Sequence, residues 1–425
     1  MEKKGSSLMN ISRRQFIGAA VGTGVLQLLP SGLQSQTNAD TLSEQINKAR
    51  HTPVLNRELF AEPVIIESMD LILNNREYIV RVRSKDGAEG FGVGNRSRLE
   101  FSYPIFLKQV APYFLGKDAR DLDELIHGVY LHDSNYKLQG LPFWISVAPA
   151  EFAILDMLGH ISDKPIGELL GTVVRKDIGV YRATNNRGRS PEDTVERMQA
   201  LVDETDTRAV KFKLGARMYY TDETMERDKN LIPLVRKHFG DDMTIYSDAN
   251  GSFDVPGAVE IGRILEDYQI DFFEEPCPFD HYDWSKEISD ALSVDIAGGE
   301  CESSLHQFKW LIQNNAHQFV QPDLHYFGGY IRATRVARMA EVMGIPIVPH
   351  MSGVGHGYLQ VLHFASYIPN SGPYQEYKGK TENFDFECPT SDLTVRDSKI
   401  RVPAGPGFGV TIDPEFIRNG TILTA

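Results

Sequence analysis

From about residue 176 the chain alternates between short apolar runs and longer segments with helical periodicity. Residues 243–247 lead into Asp248, 270–273 into Glu274, and 294–297 into Gly298, Gly299 and Glu300. A run of four or five apolar positions followed by an i, i+3, i+4 pattern predicts a buried strand feeding an amphipathic helix. Repeated, that pattern gives βα units on a parallel sheet. Residues 178–182 open the series and 209–214 form the second strand. Between them Ser190-Pro191-Glu192 predicts a helix start, with Ser as N-cap and Pro at the first helical position. Val195, Met198, Leu201 and Val202 then share one helix face. Later runs end at Asp323, at His350 and, less distinctly, at Glu376. The steps from Asp248 are 26, 26, 23, 27 and 26 residues, each ending on an ionisable group. A period of that length is what a (β/α)₈ barrel needs.

The preceding residues follow a different pattern. Residues 53–172 read as an α+β unit, with strands at 64–66, 69–73 and 78–82 and turn chemistry at Asn74-Asn75 and Asp86-Gly87. Helices are expected at 105–110 and 122–126. A longer apolar helix is expected from about Pro149 through Phe152, Ile154, Leu155 and Leu158, ending before Lys164-Pro165. The barrel spans 176–385. A tail, 386–425, carries a strand at 399–403 and the glycine-rich stretch 405–409, and is expected to pack on the 53–172 unit.

Residues 1–39 read as a targeting segment. Arg13-Arg14 precede the weakly apolar, glycine-containing run 18–26, as in a twin-arginine export signal for already folded proteins. Cleavage is expected near 37–39. The run is too short to span a bilayer comfortably, so a periplasmic protein with no membrane contact after signal removal is expected.

With 41% hydrophobic and 24% charged residues, the 425-residue chain is composed like a globular protein. Its net charge of −14 argues against nucleic acid or an anionic membrane as the main partner. Cys277, Cys301 and Cys388 provide neither a disulfide framework nor zinc-site spacing.

Barrel enzymes place their chemistry at the carboxyl ends of the strands. Asp248, Glu274 and Glu300 would converge there as three hard oxygen ligands suited to Mg²⁺, leaving coordination positions for a substrate carboxylate. Lys211 and Lys213, two residues apart on one strand, share a face and point into the barrel; surface lysines are the bland alternative. Lys213 is then a candidate base, with Lys211 near enough to tune it and to help hold the carboxylate. His350 is a second base, and Asp323, one strand earlier, is placed to hold its other ring nitrogen. Glu376 is a hydrogen-bond donor to the carboxylate if its pKa is raised. Arg182 and His325 are candidate substrate contacts, each weighed against a structural role.

Taken together, Lys211-Phe212-Lys213, Asp248-Ala249-Asn250, Glu274-Glu275-Pro276, Gly299-Glu300, Pro322-Asp323, Pro349-His350 and Glu376 resemble the enolase superfamily, mandelate racemase subgroup. The resemblance extends over about residues 60–412. It implies a modified (β/α)₇β barrel beneath an N-terminal α+β capping domain that the C-terminal tail completes. By position it implies Asp248, Glu274 and Glu300 as Mg²⁺ ligands, and Lys213 and the His350–Asp323 pair as bases on opposite faces of the substrate. Lys211 and Glu376 would contact the carboxylate, and Asn250 the metal or a substrate hydroxyl. Asn95 stands where relatives often carry Glu.

Most members of the subgroup resemble acid-sugar dehydratases. The resemblance therefore implies loss of water from an aldonate or aldarate, giving a 2-keto-3-deoxy acid, in a homo-oligomer acting on a small carboxylate. Racemisation or epimerisation uses the same two bases and remains open, as does a non-catalytic periplasmic sugar-acid-binding protein.

Overall fold

The computed structural model describes residues 31–424 apart from 186, 354–355 and 380–383. The twin arginines and the apolar run after them lie outside the described residues. The chain divides into two compact units, residues 1–43 and 44–425. In the first, the described residues belong to the helix Ser31–His51, inside which the expected cleavage point falls. Among the described residues one helix, Leu141–Ser162, is long and apolar enough to cross a membrane, and it lies buried in the core.

The second unit begins with an antiparallel sheet of β1 (Ile66–Asn74), β2 (Glu77–Ser84) and β3 (Glu89–Val93). The two runs predicted at 64–66 and 69–73 contribute to a single strand, β1, with a register shift between Ile66 and Ser68. Asn75 and Arg76 turn the β1–β2 hairpin with φ of 47° and 65°, the left-handed pair that matches strand twist. β3 carries no apolar alternation because it packs backbone to backbone. A Cβ on Gly92 would lie 2.1 Å from the Pro149 carbonyl oxygen on the helix Leu141–Ser162. That helix begins at Leu141 rather than near Pro149. Burial of nearly every residue from Phe143 to Gly159 holds it together across an internal proline.

The barrel follows, with β4 (Asp177–Ala183), β5 (Ala209–Lys213), β6 (Thr244–Asp248), β7 (Phe272–Glu274), β8 (Asp295–Gly298) and β9 (Phe319–Val320) paired in parallel, in chain order. Ile347 takes the seventh place, bridging Val320 and Ser371. β10 (Gln375–Tyr377) pairs with β4 and closes the ring. The first seven strand positions each lead to a helix of the outer ring, from Pro191–Thr205 to Gly357–Tyr367, whereas β10 leads into the tail. This is the (β/α)₇β arrangement. The predicted Ser190 cap is present, its side chain accepting from the Asp193 amide.

Parity along β5 decides the site. Val210 and Phe212 face the helices with Ile245, Phe273 and Ile296, so Ala209, Lys211 and Lys213 face inward. Beneath the lysines the barrel is filled by Tyr181, Tyr246 and Phe272, the last two stacked with centroids 3.9 Å apart.

In the tail, β11 (Phe386–Glu387) pairs with β13 (Thr411–Ile412), β12 (Lys399–Arg401) pairs antiparallel with β4, and β14 (Thr421–Leu423) adds a fourth strand beside β1. The three cysteines are free.

Candidate active site

The strand ends bring the predicted groups to one mouth. Asp248 and Glu274 are register partners at the ends of β6 and β7, both buried. Lys211 lies on the barrel floor, fully buried, with Nζ 2.9 and 2.7 Å from the two Glu274 oxygens and 3.5 Å from Glu376 Oε1. Gln321 Nε2 donates to Glu274 Oε2 at 2.8 Å. Lys213 pairs with Asp248, and its Nζ lies 3.4 Å from Asn250 Oδ1.

His350 follows the seventh strand position, nearly across the ring from Lys213. Its Nδ1 meets Asp323 Oδ2 at 2.8 Å, and its Nε2 faces Glu300 at 3.3 Å and Glu376 at 3.9 Å. Asp323 also accepts from the amides of His325, Tyr326 and Ser352 at 2.8–2.9 Å. A carboxylate so heavily bonded is fixed in place, and it fixes the imidazole with Nε2 toward the mouth.

The electrostatics follow from burial set against neighbours. Burial alone would raise Asp248, but Lys213, Lys211 and Arg187 outweigh it and hold the carboxyl below its usual range. Burial and the adjacent Asp248 raise Glu274 against the pull of Lys211. Burial would lower Lys211, yet Glu274 and Glu376 keep its ammonium well above the ordinary value. Glu376 departs from the expectation that it is a protonated donor. Burial raises it, but Lys211, Lys378 and His350 together hold it well below the usual carboxyl range. It is an acceptor here, taking the Met351 amide at 2.9 Å.

Six carboxylates (Asp248, Glu274, Glu275, Glu300, Asp323 and Glu376) crowd this mouth against a few cations, and that excess of hard oxygen donors fits a divalent cation. Among the described residues, the group of three donors whose atoms lie within 4.8 Å of one another is Glu275, Glu300 and Cys301. With Lys211 on Glu274 and Lys213 on Asp248, two of the three predicted ligands are held by ammonium groups instead.

Glu275 was not assigned a role from sequence. One position past β7, strand alternation would send it outward. Its φ of 40° turns it back over the mouth, where Oε2 accepts from Asn250 Nδ2 at 3.1 Å and Oε1 is buried without a partner. Burial and the nearby Glu300 raise its pKa well above the usual value. The doubled Glu at a strand end is the signal that could have revealed it.

Two predicted substrate contacts lie elsewhere. Arg182 turns outward from β4, its Nη2 3.1 Å from Glu204 and its guanidinium over the Tyr377 ring. The inward position on that strand belongs to Tyr181, so the substrate contact expected of Arg182 has no geometry behind it. His325 is buried, edge-on to Phe152, with no hydrogen-bond partner for either ring nitrogen among the described residues. It lines a 90 Å³ cavity with Glu77 and Asn95, which adjoins the main cavity at Asn95, Ser97 and Ser352. Asn250 does line the main cavity, of about 700 Å³, with His350, Glu300 and Glu275. Asn95 caps the helix Arg96–Ile105 and donates to the Ser352 carbonyl at 3.2 Å.

A family model described as enolase C-terminal domain-like matches residues 193–416. The chain belongs to the enolase superfamily. An arabinonate dehydratase from Saccharolobus solfataricus is 27% identical, aligning 78% of this chain with 87% of that one. An L-talarate/galactarate dehydratase from Salmonella typhimurium is 26% identical, over 81% of this chain and 82% of that one. Among solved structures, a candidate racemase from Roseobacter denitrificans is 32% identical and superposes with a TM-score of 0.78, over 84% of this chain and 99% of that one.

Proposed function

We propose that this superfamily member is a hydro-lyase that dehydrates an acid sugar, an aldonate or aldarate, to a 2-keto-3-deoxy acid with Mg²⁺ as cofactor. The observation that carries this reading is the placement of Lys213 and the His350–Asp323 pair nearly across one carboxylate-ringed mouth. Mg²⁺ held by Asp248, Glu274 and Glu300 would offset the negative charge that builds on the substrate carboxylate when the α-proton leaves, as the Lys- or His-based sites of this superfamily do. Lys211, buried and fully charged, donates to the same carboxylate from the barrel floor. Lys213 Nζ, freed from Asp248, takes the proton from C2. The C2–H electron pair passes onto the substrate carboxylate, giving an enediolate, and returns to form the C2–C3 double bond as the C3–O bond breaks. His350 Nε2 gives its proton to the departing 3-hydroxyl, which leaves as water, and the enol tautomerises to the 2-keto product. Asp323 keeps Nδ1 protonated throughout, so that Nε2 is the atom that exchanges protons.

Lys213→Ala and His350→Asn should each lower turnover by about 10²–10⁴-fold or more, with circular dichroism and thermal unfolding close to wild type. If both variants keep wild-type turnover, the assignment of the bases is wrong.

Epimerisation at C2 is favoured by one observation, that Lys213 and His350 stand nearly across one mouth, where one could remove and the other return the C2 proton. Solvent deuterium at C2 of recovered substrate, without a keto product, distinguishes it.

The 18–26 run behind Arg13-Arg14 supports export by the twin-arginine route. Arg13→Lys with Arg14→Lys should retain the protein in the cytoplasmic fraction.

A further inference from the structure

The main cavity is larger than the proposed chemistry needs. His350, Glu300 and Asn250 line one part of it, yet its volume is about 700 Å³. Cavities of roughly 300–1,000 Å³ enclose drug-sized ligands, about twice the size of a free hexonate. The extra space does not await closure of the N-terminal α+β region. The helix Arg96–Ile105 is already tied to the barrel loops by Asn95 Nδ2 on the Ser352 carbonyl at 3.2 Å and by Arg98 Nε on the Tyr326 hydroxyl at 3.3 Å.

The outer wall has a distinct chemistry. Phe101, 80% exposed, and Met218, 50% exposed, face the cavity with Phe279. Large apolar side chains left in water at a cavity rim mark a contact surface, and flat apolar walls suit the C–H faces of a sugar ring. Two arginines, Arg98 and Arg217, stand in the same wall. Arg217 forms no ion pair with any described residue. An unpaired guanidinium is a ready anion partner.

The loop carrying Arg217 and Met218 is held under strain. Arg217 and Met218 are consecutive non-glycine residues with φ of 66° and 62°. They are kept there by the Arg217 amide on Ser252 Oγ at 3.1 Å and the Met218 amide on the Asn250 carbonyl at 2.9 Å. Strain of this kind persists where surrounding contacts over-determine it, and it gathers at ligand clamps. Here both anchors belong to the 250–252 segment that follows Asp248, so Arg217 and Met218 are fixed relative to the mouth.

Resting on the dehydratase reading, we infer that the substrate is a two-unit acid, an aldonate carrying a uronic acid residue. The aldonate end lies on the floor at Lys213 and His350. The outer ring lies against Phe101, Met218 and Phe279, with its carboxylate on Arg98 and Arg217. The outer unit takes no part in bond making. C2–H and C3–O break as in a free aldonate, and the glycosidic bond stays intact.

The test compares kcat/KM for each member of an aldonate panel with its 4-O-glycosyl and 4-O-uronosyl derivatives, using the mature protein with Mg²⁺. The 4-O-uronosyl acid of the preferred configuration should exceed its free aldonate at least tenfold, with the neutral glycosyl derivative between them. Arg217→Gln should lower the uronosyl-to-free ratio about tenfold, and Phe101→Ala should lower the glycosyl-to-free ratio by a similar factor. Turnover of free aldonates with no gain from the outer unit overturns this inference and leaves the dehydratase reading standing. So does a gain that neither variant changes. Turnover of no acid of either length overturns the dehydratase reading and this inference with it.

Discussion

Lys211 shows how tightly the chemistry here is tied to stability. Its ammonium is the shared partner of two buried carboxylates, Glu274 and Glu376. Removing one partner of a buried ion pair leaves an uncompensated charge, at a cost of about 3–5 kcal/mol. Lys211→Met should therefore destabilise the metal-free protein by about that amount in denaturant unfolding; a loss below about 1 kcal/mol would mean that the carboxylates are not held as described. Lys213 lacks this double tie. Its carboxylate partner is Asp248, so the proposed role of base falls on Lys213 rather than on Lys211. The residue scale is also where sequence was least informative. Arg182 and Tyr181 are neighbours, and nothing in the pattern 178–182 says which faces the barrel axis. Glu275 is directed by a single left-handed φ, which carries no hydrophobic signature.

The elements were far more legible, because each strand–helix step writes both a run and a period. The 23–27-residue steps placed Asp248, Glu274, Glu300, Asp323, His350 and Glu376 at successive strand ends, and the barrel has them there. β3 and the long helix it covers were not predicted as they stand, for one shared reason. Gly90 and Gly92 allow the strand backbone to press on the helix around Pro149, so packing replaces the apolar alternation and the proline-free interior by which such elements are recognised. The same helix reaches the barrel through Glu151. Its carboxyl accepts the Ile331 amide at 3.0 Å, near the start of the helix Tyr330–Val342, and burial raises its pKa to about 8. A carboxyl raised in the fold binds its proton more tightly there than in the unfolded chain. Its stabilising contribution is full below about pH 4.5 and is lost as pH rises toward 8. Glu151→Gln removes that loss. Its stability relative to wild type should increase between pH 6 and 8, by up to about 1.4 kcal/mol per unit. Unfolding curves that stay parallel for the two proteins across this range would contradict the assignment.

At the scale of the whole molecule, the barrel gathers six carboxylates at one mouth, and the fold carries that concentration of charge by setting lysines against it. A divalent cation that binds only the folded state should raise stability by RT ln(1 + [L]/Kd), about 2.7 kcal/mol at a hundredfold excess over Kd. Thermal unfolding should therefore shift upward with Mg²⁺ and return on chelation; Asp248→Asn should blunt the shift, and an unchanged shift in that variant would remove Asp248 from the ligand set. The most direct test of the account is proton NMR of the mature protein with Mg²⁺ in D₂O, against aldonic, aldaric and glycosylated acids. Wild type should form a 2-keto-3-deoxy product carrying solvent deuterium at C3, and neither Lys213→Ala nor His350→Asn should form it. Exchange or inversion at C2 with no keto product, or product formation that both variants retain, would contradict the account.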